Sequence, residues 1–170
     1  RRDMLRTMTA ILALGALSTP SLADQPVTIG EIAYGPELVE HAEDFGEREL
    51  DRLARYLRAA LERELADDLG EGGYVLHTTI LDAQPNRPTM AQMSGTRPLH
   101  HSSISIGGAD IEAQLLSADG EVLETYSYGW RSMNIRDVVG YGQWTDARRT
   151  FSRFADQVSD SLDERAETGS

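Results

Sequence analysis

The sequence predicts an α+β fold: a two-layer sandwich in which a mixed four-stranded sheet, with chain order β-α-β-β-β-α, carries two helices on one face. Three observations lead there. Asp119-Gly120 sits between two alternating runs, the strongest short-range cue for a hairpin. Two long segments carry apolar residues at three- and four-residue spacing, as amphipathic helices do. A strand-like run precedes the first helix and another follows it, so a helical crossover makes those two strands parallel.

Taken in order, VTIGEIAY at 27–34 reads as a short strand ended by Gly35-Pro36. One helical pattern follows, with Leu50, Leu53, Leu57, Ala60, Leu61 and Leu65 as its stripe. Glu47, Glu49 and Asp51 suit the positive end of its dipole, and Gly70 is the expected terminator. YVLHTTILDA at 74–83 has apolar residues on both alternating sets, which predicts a central strand. In the hairpin, a two-residue turn with Ala118 facing Glu121 sets Leu115 against Glu124, Ala113 against Tyr126, Ile111 against Tyr128 and Ala109 against Trp130. Small residues then oppose aromatics on the core face, while Asp110, Glu112 and Gln114 stay wet. A one-residue slip would bury the acids. Gly107-Gly108 is the expected bulge between this hairpin and a Ser-rich edge strand around Ser102, Ser103 and Ser105. Thr145 is placed to cap a last helix with Ala147, Phe151, Phe154, Val158 and Leu162 as its stripe.

Residues 1–23 are expected to be an export signal. Three arginines precede an apolar run at 10–17, and Ser21-Leu22-Ala23 suits cleavage before Asp24. The run is shorter than the about 20 apolar residues that span a bilayer. Arg1-Arg2-Asp3-Met4-Leu5-Arg6 resembles the twin-arginine motif, with Met4 where Phe is commoner. The expected product is periplasmic or secreted: a single domain at 24–165, then a polar tail at 166–170.

This whole succession, from VTIGEIAY through the hairpin to the last helix, resembles small Gram-negative envelope domains. Many of these are domains of unknown function, and the N-terminal domain of the translocation protein TolB is similar in architecture. The resemblance implies a binding or assembly module and assigns no catalytic or ligand-binding residue. The chain departs from lipoprotein members in having no cysteine, hence no lipid-bearing residue and no membrane anchor of that kind.

Charge narrows the partners. The net charge is −12, and the leader's three Arg and one Asp take the remainder to −14. So acidic a chain repels nucleic acid and anionic lipid in general. Against that background, the 27 residues between Asp82 and Asp110 contain no carboxylate. Pro85, Pro88 and Pro98 stiffen this long loop, while Arg87, Arg97, Met90 and Met93 offer charge and adaptable apolar contact. Residues 131–153 hold five arginines and two aspartates, whereas 37–68 hold eleven acids and five arginines. The expected contact surface for an envelope protein partner therefore comprises Arg87, Met90, Met93, Arg97, His100, His101, Arg131, Arg136, Trp144, Arg148 and Arg149.

Two rival readings are a small-ligand carrier using the aromatic stripe Tyr126, Tyr128 and Trp130, and a metal enzyme or hydrolase built on His77, His100 and His101. Adjacent histidines in an extended segment point to opposite faces, and no zinc-type spacing occurs. The G-x-S-x-G elbow is missing, and the glycine pairs lack phosphate-loop flanks. No metal, cofactor or catalytic residue is expected.

Overall fold

Parallel pairing of β1 (Val27–Tyr34) with β2 (Tyr74–Gln84) forms one half of the sheet in this computed structural model, which describes residues 25–95 and 99–168. Antiparallel β3 (Gly108–Leu116) and β4 (Val122–Arg131) complete the spatial order β1-β2-β3-β4. The mixed four-stranded α+β sheet is the predicted one, with β2 an inner strand.

Helix packing covers one face. Leu53, Leu57 and Leu61 from α2 (Glu47–Glu64) join Phe151, Phe154 and Val158 from α4 (Thr145–Thr168) in one core. They meet Leu76, Ile80, Ile111, Ala113, Leu115 and Tyr126 of the sheet. All are buried, and each large apolar side chain contributes about 1.5–3 kcal/mol on leaving water. The other face exposes His77, Glu112, Gln114, Thr125 and Ser127. That division is what holds the register, since a slip would exchange Ile111 or Ala113 for a carboxylate.

The hairpin keeps the predicted pairs from Ala109↔Trp130 to Leu115↔Glu124. Its tip differs. Leu116 faces Val122, the Ser117 N–H donates to the Glu121 carbonyl at 2.9 Å, and Gly120 has φ +85°. The loop is thus the three residues 118–120, closed by a left-handed glycine, and an irregularity between Leu115 and Leu116 absorbs the extra residue.

Three further expectations need correction. The single helix after β1 is two helices: Pro36 opens α1 (Pro36–Phe45), and Gly46 at φ +91° breaks the path before α2 begins. Helix α2 stops at Glu64, well before Gly70. Residues 103–107 are irregular and form no edge strand, so β3 starts directly at Gly108 and no strand bulge precedes it. The long loop also contains α3 (Met90–Ser94), started by a reciprocal Thr89–Gln92 capping box.

At the far end of α4, Arg165 donates to Glu124 at 2.6 Å and Ser161 donates to the same carboxylate at 2.9 Å. Partial burial pushes the Glu124 pKa up, but the Arg165 and Ser161 hydrogen bonds outweigh it and hold the group below its ordinary value. A depressed carboxylate stabilises the fold above its unfolded pKa, and that contribution is lost as pH falls through the folded pKa. Glu124→Gln should therefore flatten the fall of Tm below about pH 4.3, the unperturbed Glu value, relative to wild type. Parallel acid melting curves for the two proteins would contradict this clamp.

Candidate binding surface at the start of the last helix

Asn86 organises this end of the molecule. Its side chain is fully buried, with Nδ2 donating to Asp146 Oδ2 at 2.5 Å and to the Ser105 carbonyl at 3.3 Å. Its Oδ1 accepts the Asp146 backbone N–H at 2.9 Å. Asn86 also donates its own N–H to the Gln143 carbonyl and accepts from the Ser105 N–H. One amide thus fastens the end of β2, the segment after α3 and the first turn of α4.

A helix start leaves N–H groups without intrahelical partners, and a local Ser, Thr, Asp or Asn usually takes one. Thr145, the expected cap, does something else: its Oγ1 accepts from the Gly142 N–H at 2.9 Å. Asn86 supplies the cap from another part of the chain. Asp146 adds a carboxylate in the first turn, where the helix dipole favours it, with Arg149 3.6 Å from its second oxygen. Gly107 is required beside them, because a Cβ there would lie 2.7–2.8 Å from the Asn86 amide.

Arginines radiate from this anchor. Arg87 donates through Nε to the Tyr141 carbonyl and through a terminal nitrogen to the His101 carbonyl at 3.0 Å. Arg149 bonds the Tyr141 hydroxyl and lies 4.4 Å from the centre of that ring. Farther along α4, Arg148 stacks over Tyr56 of α2 at 5.0 Å and Arg153 over Trp130 of β4 at 4.5 Å. Arg63 of α2 reaches Ser152 at 3.1 Å. Between α2 and α4 these side chains line an open groove of about 440 Å³. Next to the Tyr141 junction, Met133 (94% exposed), Ile135 and Val139 present apolar side chains to solvent.

The two sequence segments singled out for recognition, the carboxylate-free loop and 131–153, therefore meet through Asn86 and Arg87. Met90, His100, His101, Arg136, Arg148 and Arg149 are exposed, and Met93 is half-buried. Arg97 lies outside the described residues.

Two expected contact residues have other work. Trp144 is 2% exposed, donates its indole N–H to Glu49 at 2.7 Å and meets Phe45 edge to face, so it belongs to the core. Arg131 grips Asp110 at 2.6 Å and Asp82 at 2.9 Å. The Asp110 hydrogen bond leads the causes that raise its pKa, and its guanidinium closes the end of the sheet as a structural clamp. Sequence reading missed Asn86, Tyr56, Arg63 and Arg153. For Arg153 a signal existed, since it lies in the same arginine run; the others are joined only by tertiary packing.

The rival sites do not assemble. Tyr126 is 3% exposed with its hydroxyl at Ser161, which places it beneath α4, and Trp130 lies under Arg153. His77 is exposed on the open sheet face, and His100 and His101 lie on the loop. Among the described residues no three metal-capable His, Asp or Glu side chains converge, and no helix is long and apolar enough to cross a membrane.

No family model matches this sequence, and no curated protein matches it. Among solved structures, it is similar to a candidate lipoprotein from Caulobacter crescentus at 13% identity over 88% of this chain and 95% of that one, with a TM-score of 0.43. A hypothetical protein from Chlamydia trachomatis shares 11% identity over 86% and 97% of the two chains, TM-score 0.43. A minor lipoprotein from Acinetobacter baumannii shares 11% over 85% and 95%, TM-score 0.40. At TM-scores below 0.5 these likenesses assign no function.

Asn86→Ala should cost roughly 2–4 kcal/mol in urea unfolding, because it strands a buried carboxylate and a helix-start N–H. A loss below about 0.5 kcal/mol, the range of an ordinary surface change, would remove Asn86 from this role.

Proposed function

We propose that the chain is an exported binding or assembly module of the bacterial cell envelope, which docks an acidic protein partner through the loops around the start of α4. One observation carries the reading: in a chain of net charge −12, Arg136 and exposed Met133, Ile135 and Val139 share one segment, which Arg87 and Arg149 join at Tyr141. Arginine and methionine are enriched at protein interfaces, and arginine can trade water for carboxylate at modest desolvation cost. The acidic remainder of the surface repels a like-charged partner elsewhere, which favours this one approach.

The export signal read at 1–23 supports the compartment, and the proposal takes the mature N-terminus to be Asp24. The docking surface stands on a rigid base, since the loops are pinned by buried hydrogen bonds and not by their own flexibility. A carrier role has less support, because the aromatic stripe is occupied by packing.

A photo-crosslinking residue placed at Met133 or Met90 in growing cells should yield a discrete protein adduct, while the same probe at Glu112 on the open sheet face should not. The isolated protein should begin at Asp24 on N-terminal sequencing. Adducts at Glu112 with none at Met133 or Met90 would reject this docking surface.

A further inference from the structure

The groove between α2 and α4 shares only Arg149 with the docking surface, and its chemistry is specific. Among the described residues, Arg63, Arg148, Arg149 and Arg153 line it together with Tyr56 and Ser152 and no carboxylate does, while Arg153 also borders a neighbouring hollow that holds Glu124, Asp156, Asp160 and Glu164. The chain has 28 acidic and 16 basic residues, so an exposed arginine finds a carboxylate easily. Arg63 does so with Glu64 at 2.8 Å, and Arg149 lies near Asp146. Among the described residues, Arg148 and Arg153 have no ion-pair partner within 4 Å. Asp156 stands one helical turn beyond Arg153, at the spacing that favours pairing, but the guanidinium lies over Trp130 instead. Tyr56 holds Arg148 in the same manner.

Stacking leaves the edges of a guanidinium, where its N–H groups point, free to bind oxygen. Two such arginines, fixed on rings from α2 and β4, are spaced along about 8 Å of α4 by the helical rise. With Arg63 opposite, the groove presents cationic donors from both helices and hydroxyls from Tyr56 and Ser152. Its complement is a compact, multiply charged group with acceptors only. A polypeptide strand would also bring backbone N–H donors, for which the lining provides little. Ala59 and Ala60 give the groove a small apolar floor, and its volume is that of a small-molecule site.

We propose that this groove binds a phosphate-bearing small molecule, with the phosphate oxygens on Arg148, Arg153 and Arg63 and a ring or short apolar portion against Tyr56 and Ala60. This goes beyond the docking role and does not depend on it.

Because Arg153 covers Trp130, a ligand drawing on Arg153 should change the tryptophan emission. The test titrates the purified protein with inorganic phosphate and pyrophosphate at constant ionic strength, follows fluorescence, and repeats the series by phosphorus NMR line width. A saturable response is expected, stronger for pyrophosphate, weakened at least about tenfold in R148Q/R153Q and unchanged in R48Q, whose arginine lies outside the groove. Arg63→Gln, which leaves both stacked pairs in place, should weaken it as well and guards against misfolding of the double variant. No saturable response, equal affinity in all variants, or a response to a hexaglutamate peptide in place of pyrophosphate would overturn the proposal. Crosslinking from Met133 would persist in that event, so the two readings fail separately.

Discussion

A buried amide bonded to a buried carboxylate is the constraint on which the functional end of this molecule rests. Asn86 and Asp146 are 60 positions apart, and both are fully buried. The Asn86 amide donates to one Asp146 carboxylate oxygen while its own oxygen takes a helix-start N–H, and the second carboxylate oxygen, without a hydrogen bond among the described residues, faces Arg149 at 3.6 Å. Burying these groups is costly unless they are satisfied, so the pairing admits few alternative loop arrangements. Thr150 extends the network by donating to the Asp146 carbonyl one turn on. The start of α4 is thereby fixed relative to β2 and the long loop, and with it the directions in which Arg148, Arg149 and Arg153 leave the helix.

Charge distribution follows from the same geometry. The apolar stripe of α4 must face the sheet, which leaves the arginines on its solvent-facing turns beside α2. Aromatic rings from three separate elements then receive them: Tyr56 from α2, Trp130 from β4 and Tyr141 from the loop before α4. Some acidic groups are engaged by other arginines, Asp82 and Asp110 by Arg131 and Glu124 by Arg165. An acidic protein thus keeps a cationic surface that Glu64 and Asp146 neutralise only in part.

Much of the fold was legible because it depends on local pattern. The strand at 27–34 is read from a short apolar run closed by Gly35-Pro36, and the stripe of the last helix from its three- and four-residue spacing. The hairpin register was right although its turn was not, because a three-residue loop and one irregularity cancel before the core pairs begin. The misreadings share a cause. Gly46 breaks the helix through a backbone angle that a charged, helix-favouring sequence does not announce. Thr145 looks like a cap, but the cap comes from Asn86, and nothing local connects the two. Trp144 and Arg131 looked available because their partners, Glu49 and Asp82, lie far away in sequence. The loop and the arginine run drew notice for their composition, whereas the groove needed α2 and α4 side by side.

Amide hydrogen exchange at Asp146 tests the anchor most directly, since that N–H is the one donated to Asn86. Helix-start amides ordinarily exchange through local fraying, whereas core strands exchange only on global opening. Protection at Asp146 equal to that of Ile111 in β3 is the result this structure requires. Exchange at the rate of an uncapped helix terminus would contradict it.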